Sequence, residues 1–358
     1  MNVYPPMNSR ITYILLTFFS CFALLSTAQV TAVNNDPNAR FKQAQEYFLN
    51  DQFSLAMPLL RELKQEVQSS NVLNEGIQVQ EIDFYLLACG LQQNDERAVL
   101  PSREFITVVH NMPRTQQLSF HLANYYFRKQ EFVEALEFYE RAEIASLNNE
   151  QISESKFRMG YAYFHLKRYQ QAKPLFNTIR QLPDDKHYLD ANYFYGFIAY
   201  NDKQYNEALS SFEKVQSHPE YGKIVPFYIA SIYYFRGEKD KAIKIAEEAV
   251  KRPNILYDLE MKQLLGHAYF EKKDYARALP LLEAYVNKAE KVTRQDLYEL
   301  SYSYYQANQL NKAIDGFKQL SGGEDSLSQS AMYLLGDAYL KTNHLGDFYM
   351  KKRYVQFS

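Results

Sequence analysis

At 358 residues the chain has room for two or three ordinary domains or one long repetitive one; with only 12 Gly and 12 Pro beside 31 Tyr and 24 Phe, it lacks the turn residues of an all-β fold. A formal charge of −2, from 40 basic and 42 acidic residues spread along the chain, gives no field to concentrate a polyanion, which excludes nucleic acid as a partner.

In chain order, the first element is unlike the rest. Arg10 precedes the apolar run ITYILLTFFSCFALL, residues 11–25, and Ser26-Thr27-Ala28 places small residues before Gln29. This reads as a secretory signal peptide, residues 1–28, cleaved after Ala28. Its apolar run falls short of the ~20 residues of a membrane span, so no transmembrane segment is expected after cleavage. Met7 offers a second start, and Phe18-Phe19-Ser20 before Cys21 makes a poor lipobox. Loss of the leader leaves Cys89 as the one thiol, so no internal disulfide forms and packing must supply the stability. Residues 29–37 read as a short linker.

From residue 38 to 340 a frame recurs: a small residue, an aromatic three places on and an alanine twelve places on. It reads Ala44, Tyr47, Ala56, then Ala123, Tyr126, Ala135, then Gly160, Tyr163, Ala172. Gly196 and Ala208 keep the frame with Ala199 at the aromatic place, and Ala230, Tyr233, Ala242 follow, then Gly266, Tyr269, Ala278 and Ser301, Tyr304, Ala313. A large residue stands four beyond the alanine at Tyr139, Phe176, Phe212, Leu282 and Phe317. Each unit predicts two amphipathic helices joined by a short polar turn, such as NDKQ before Tyr205 or EKKD before Tyr275. Glycine inside a helix costs ~1 kcal/mol against alanine. Close approach of the two helices is the compensating gain, with the alanine expected to supply the matching small surface.

Two regions break the rhythm. Residues 66–80 read as a loop insertion, and residues 82–110 as a degenerate helix pair whose turn is shortened before Ala98. Gly336 and Tyr339 open a ninth unit, but Phe348 stands where alanine belongs, so residues 341–358 are an atypical tail or mark a truncation near Asn343.

This frame, with Pro183, Pro219 and Pro253 closing successive units, resembles the tetratricopeptide repeat, whose period is about 34. The resemblance implies an all-α, right-handed α-solenoid of about eight to nine helix hairpins with a concave inner face. It departs from the family in lacking the first-helix tryptophan and in carrying Pro58, Pro174 and Pro280, expected in the first turn of second helices where proline is tolerated. The chain also resembles large exported repeat proteins of the Bacteroidetes.

No catalytic, cofactor or metal residues are assigned. Tyr163 repeats as a packing residue, His165 has Arg128, Asn201, Phe235 and Glu271 at its equivalent places, and the seven histidines lack metal-ligand spacing. SGGEDS, residues 321–326, lacks the lysine and strand of a phosphate loop.

One pattern exceeds what the fold requires. Three before, one after and four after the small residue share one face of each first helix. From the third unit to the eighth those places hold Phe120, Asn124, Phe127; Phe157, Tyr161, Phe164; Tyr193, Phe197, Tyr200; Phe227, Ser231, Tyr234; Gln263, His267, Phe270; and Tyr298, Tyr302, Tyr305. In the family this face lines the groove. Two readings stand: rings that seal adjacent first helices, or an aromatic binding surface. With Asn124 the only residue suited to a carboxylate clamp, an extended peptide or a partner helix with apolar anchors is the preferred ligand. The expectation is a non-enzymatic protein-binding scaffold in a Gram-negative periplasm. The alternatives are a peptidoglycan or other glycan stacked on the tyrosines, and an accessory segment of a larger envelope protein.

Overall fold

In the computed structural model, residues 36–69, 79–144, 147–252 and 254–342 are described. The expected leader, most of the linker, the middle of the insertion and nearly all of the tail lie outside them. The described residues form seventeen α-helices and no strand. They run α1 Pro37–Leu49, α2 Phe53–Ser69, α3 Val79–Gln92, α4 Val99–Val108, α5 Met112–Arg128, α6 Phe132–Arg141, α7 Asn149–His165, α8 Tyr169–Ile179 and α9 Tyr188–Asn201. The second part continues α10 Tyr205–Val215, α11 Val225–Phe235, α12 Lys239–Val250, α13 Asp258–Glu271, α14 Tyr275–Val286, α15 Arg294–Gln306, α16 Leu310–Leu320 and α17 Ser326–Lys341. Odd-numbered helices are the first helices of the repeats and even-numbered ones the second. Residues 66–69 and 79–80, expected in the insertion, are helical.

The chain divides into two compact units, the first ending at Leu175 and the second beginning at Phe176. Each has its own core. In the first, Leu60, Leu63, Ile82, Phe84, Leu118 and Tyr139 are buried together; in the second, Met261, Leu265, Leu282, Phe317 and Leu335 are. The frame alanines Ala56, Ala135, Ala172, Ala208, Ala242, Ala278 and Ala313 are all fully buried.

At Gly196 and Gly266 the nearest neighbours are not those alanines. A Cβ on Gly196 would lie 2.9 Å from the Phe212 ring, and one on Gly266 2.8 Å from Leu282 Cδ2. The close neighbour is therefore the large residue one turn beyond the alanine, which corrects the expected small-to-small contact. Small residues do meet elsewhere: a Gly90 Cβ would lie 2.8 Å from that of Ala98 in the degenerate pair, and a Gly316 Cβ 3.0 Å from that of Ser301, the leading small residue of its unit.

The hairpin turns share one device. Seven residues after the leading position the backbone is left-handed, at Asp51, Asn94, Gln130, Lys167, Lys203, Gly237, Lys273 and Asn308. The next residue's N–H returns to the carbonyl of the third place, as in Gln204 N to Ala199 O at 2.8 Å and Asp274 N to Tyr269 O at 2.9 Å. This satisfies carbonyls that the helix end leaves open. Asn94 and the Asp95-to-Gly90 bond put the degenerate pair in the same frame with its alanine one place early.

The prolines are deeper than expected. Pro58, Pro174 and Pro280 lie inside α2, α8 and α14, each at the sixth helical residue, beyond the first turn. Each therefore forfeits one bond to the carbonyl four residues back. Ser54, Gln170 and Ala276, which carry those carbonyls, are exposed, as are the prolines, so water can take the missing donor's place.

A ladder ties five of the second helices to the next first helix. The residue five beyond the alanine faces the aromatic of the following unit: Glu140 accepts from Tyr163 (3.4 Å), Glu283 accepts from Tyr304 (2.5 Å), and Glu247 accepts from Tyr269. Arg103 donates to Tyr126 (3.0 Å), and Lys318 lies 5.5 Å over the Tyr339 ring.

Candidate functional site: the aromatic face of the first helices

In the first unit, α5 and α7 carry two sets of the singled-out residues. Phe120 and Asn124 are buried, and the Tyr139 hydroxyl donates to Asn124 Oδ1 at 2.6 Å. The amide expected to help hold a ligand is thus a core acceptor, and both residues belong to packing. Phe127 remains partly open, edge-on to Phe132 and to Tyr161 at 5.9 and 5.7 Å, with the Arg158 guanidinium 5.4 Å above it. Phe157 lies 6.3 Å from Tyr161, Tyr161 lies 4.4 Å from His165, and Phe164 meets Tyr169 at 5.3 Å.

In the second unit the rings come together in pairs. Tyr193 of α9 stacks on Tyr221 at 4.2 Å and 11°, and the Tyr221 hydroxyl donates to Asp190 at 2.5 Å. Phe197 and Tyr200 lie 5.7 and 5.0 Å from Tyr228 of α11. Phe227 stacks on Tyr257 at 5.1 Å, and Tyr234 donates to Glu271. Phe270 of α13 meets Tyr302 of α15 at 5.6 Å, and Tyr298, Tyr302 and Tyr305 form a row along α15. Tyr305 donates to Asp337 of α17.

All the singled-out residues except Phe120, Asn124 and Ser231, which are buried, are partly buried, and none is fully exposed. The last described helix shows what covers them. At its equivalent places Tyr333 is 77% and Leu340 56% exposed. The following first helix thus hides part of each ring, while the remaining edge stays open to a ligand. The two readings of the pattern describe two sides of the same ring.

Burial pushes the phenols of Tyr193, Tyr200, Tyr234 and Tyr298 above their ordinary value, and Glu271 adds to this at Tyr234. They remain neutral donors at physiological pH, with apolar ring area beside each hydroxyl.

Several participants escaped the three-place pattern. Tyr221 and Tyr257 lie in connections before first helices, and Tyr228 sits one place after Phe227; only abundance of tyrosine hinted at them. Asp296 and Glu299 flank His267 from the next first helix: Nε2 is 2.9 Å from Asp296 Oδ1, and Nδ1 is 2.5 Å from Glu299 Oε2. The Thr293-x-x-Asp296 spacing signals the capping box that anchors Asp296. Among the described residues, no group of three or more His, Cys, Asp or Glu is arranged to hold a metal ion, and no helix is long and apolar enough to cross a membrane.

Stacked helix hairpins with a repeated glycine, tyrosine and alanine define a helical-repeat scaffold for protein interaction. Family models described as "Tetratricopeptide repeat" match residues 154–184 and 229–291. The chain carries tetratricopeptide repeats over these residues. Solved structures similar to it include the apo form of RapI, 15% identical over 86% of this chain and 98% of that one, TM-score 0.45. Another is the C-terminal part of a TPR repeat-containing protein from Cytophaga hutchinsonii, 17% identical over 65% and 89%, TM-score 0.43. A tetratricopeptide repeat protein from Parabacteroides merdae is 14% identical over 75% and 98%, TM-score 0.37. No curated protein matches the chain.

Proposed function

We propose that the chain is an exported, non-enzymatic scaffold of the cell envelope that holds an extended peptide or a partner helix on the open edges of its first-helix rings. The observation that carries the reading is the repetition, in both units, of partly open aromatic side chains at the same three places. Export rests on the leader-like residues 1–28 and their small residues before Gln29, and the periplasm of a Gram-negative cell is the compartment that fits. Rigid rings with neutral hydroxyls suit a ligand with apolar anchors, and rings already fixed by their neighbours leave less ordering entropy to oppose binding.

The test places a photoreactive residue at Tyr298 in the full chain and follows crosslinked protein from envelope extract, with and without Phe270→Ala and Tyr302→Ala. The reading expects a discrete protein partner whose capture falls at least tenfold in the double variant, with circular dichroism showing the helices retained. Unchanged capture beside a large fall in melting temperature assigns the rings to packing and ends the reading. Retention on purified sacculi with no protein captured moves the ligand to glycan.

A further inference from the structure

His267 sits on α13 with both ring nitrogens facing carboxylates of α15: Asp296 is fully buried and Glu299 4% exposed. A neutral imidazole has one N–H, so it can donate to only one of these oxygens and must turn a lone pair toward the other. The imidazolium donates to both. The carboxylates are held in place by other bonds. Asp296 Oδ1 accepts from Gln263 at 2.7 Å and Oδ2 from Thr293 N and Oγ1 at 2.8 and 2.6 Å; Glu299 Oε1 accepts from Gln295 at 2.7 Å.

We propose that His267, clamped between Asp296 and Glu299, is a proton-dependent latch that closes α13 on α15 and releases it when the proton is lost. Above and below the latch the charges are already matched. On α13 Glu271 pairs with Lys239 of α12 and accepts from Tyr234 of α11, while α14 turns Arg277 and α15's neighbour Lys312 of α16 away, over Tyr269 and Tyr304. Among the described residues, His267 is the cation paired with Asp296 and Glu299. Deprotonation leaves two buried carboxylates around a neutral ring, and the strain falls on the α13–α15 seam that also carries Phe270 and Tyr302. The latch is a feature of packing and stands whether or not those rings bind a partner.

Burial opposes the charge on His267, but the hydrogen bond and charge of Glu299, and then of Asp296, outweigh it and raise its pKa above the ordinary value. A raised folded-state pKa means that the latch's contribution is complete below the unfolded value of about 6.5 and is lost as pH rises through the folded value. On the acid side, burial would raise Asp296, yet the bonds from Gln263 and Thr293 and the charge of His267 hold it below its usual value. Its contribution is lost only as pH falls through that lowered value.

The experiment follows the His267 ring by NMR across pH in the full chain, together with hydrogen exchange of residues 258–306 corrected for intrinsic rates. The expectation is titration above 6.5 and, between about 6.5 and that raised value, opening that grows by up to about tenfold per pH unit for one linked proton and levels off above it. Glu299→Gln is expected to lower the titration and flatten the exchange profile, while Asp296 keeps the helix cap. Titration at or below the ordinary value, or identical profiles for wild type and Glu299→Gln, overturns the latch. Should Glu299→Gln fail to fold, the wild-type titration decides alone.

Discussion

Tyr304 shows in one residue how the repeats are tied. Its buried ring lies 4.8 Å under the Lys312 ammonium, its hydroxyl donates to Glu283 at 2.5 Å, and Lys312 reaches the same carboxylate at 3.0 Å. Tyr269, Arg277 and Glu247 repeat the arrangement one unit earlier. Tyr304→Phe keeps the ring and removes one hydrogen bond, a loss of about 0.5–1.5 kcal/mol. The lower end is expected because Glu283 is 35% and Lys312 55% exposed and solvent screens them. Denaturant unfolding measures the difference; wild-type stability in the variant would reduce the triad to a surface coincidence. The tyrosine was legible in the sequence because its size repeats. Its partner was not, because Arg103, Glu140, Asn177, Glu247, Glu283 and Lys318 share a position and no chemistry. Each is suited only to what stands opposite, and where Asn177 replaces the acid the facing place is Ala199. The same limit hid the latch: His267 has the right place on the face, but its two carboxylates come from the next helix.

At the scale of an element, the hairpin turn separates what spacing reveals from what backbone geometry demands. The polar turns were legible, whereas the fixed left-handed residue was not, since only Asp51, Asn94, Gly237 and Asn308 of the eight are residue types that favour it. Lys203 at φ 60° and Lys273 at φ 62° hold the same conformation under strain. Lys203→Gly is therefore expected to stabilise the chain by about 0.5–1 kcal/mol, offset in part by the greater freedom of glycine in the unfolded state. Gly237→Ala, at φ 76° with nothing within 4 Å of its added Cβ, is expected to destabilise by about 1 kcal/mol through backbone strain alone. Melting of the two variants tests the turn from opposite sides; a shift of the same sign in both would remove the left-handed residue as the common cause. The prolines teach the converse. Proline inside a helix is read from sequence as a boundary, but three second helices pass through it because the freed carbonyls face water.

For the whole molecule, the question is how far a local defect travels. Each unit has its own buried cluster, and within each unit successive helices pack on their neighbours in sequence order. In such stacks stability is the sum of each repeat's own term and its nearest-neighbour contacts. Gly196→Leu tests this directly. A Cβ there already lies 2.9 and 3.0 Å from two Phe212 ring atoms and 3.2 Å from Ser211 Cβ, so the added isobutyl group has no space without separating α9 from α10. Phe212 is fully buried and cannot swing into solvent without opening its hairpin. Hydrogen exchange of the full chain is expected to lose protection in α9 and α10, to weaken in α11 and α12, and to keep wild-type protection in α1–α4 and α15–α17. Uniform loss from end to end would mean that the chain folds as one cooperative body, and that the repeat frame sets its shape without setting its energetics.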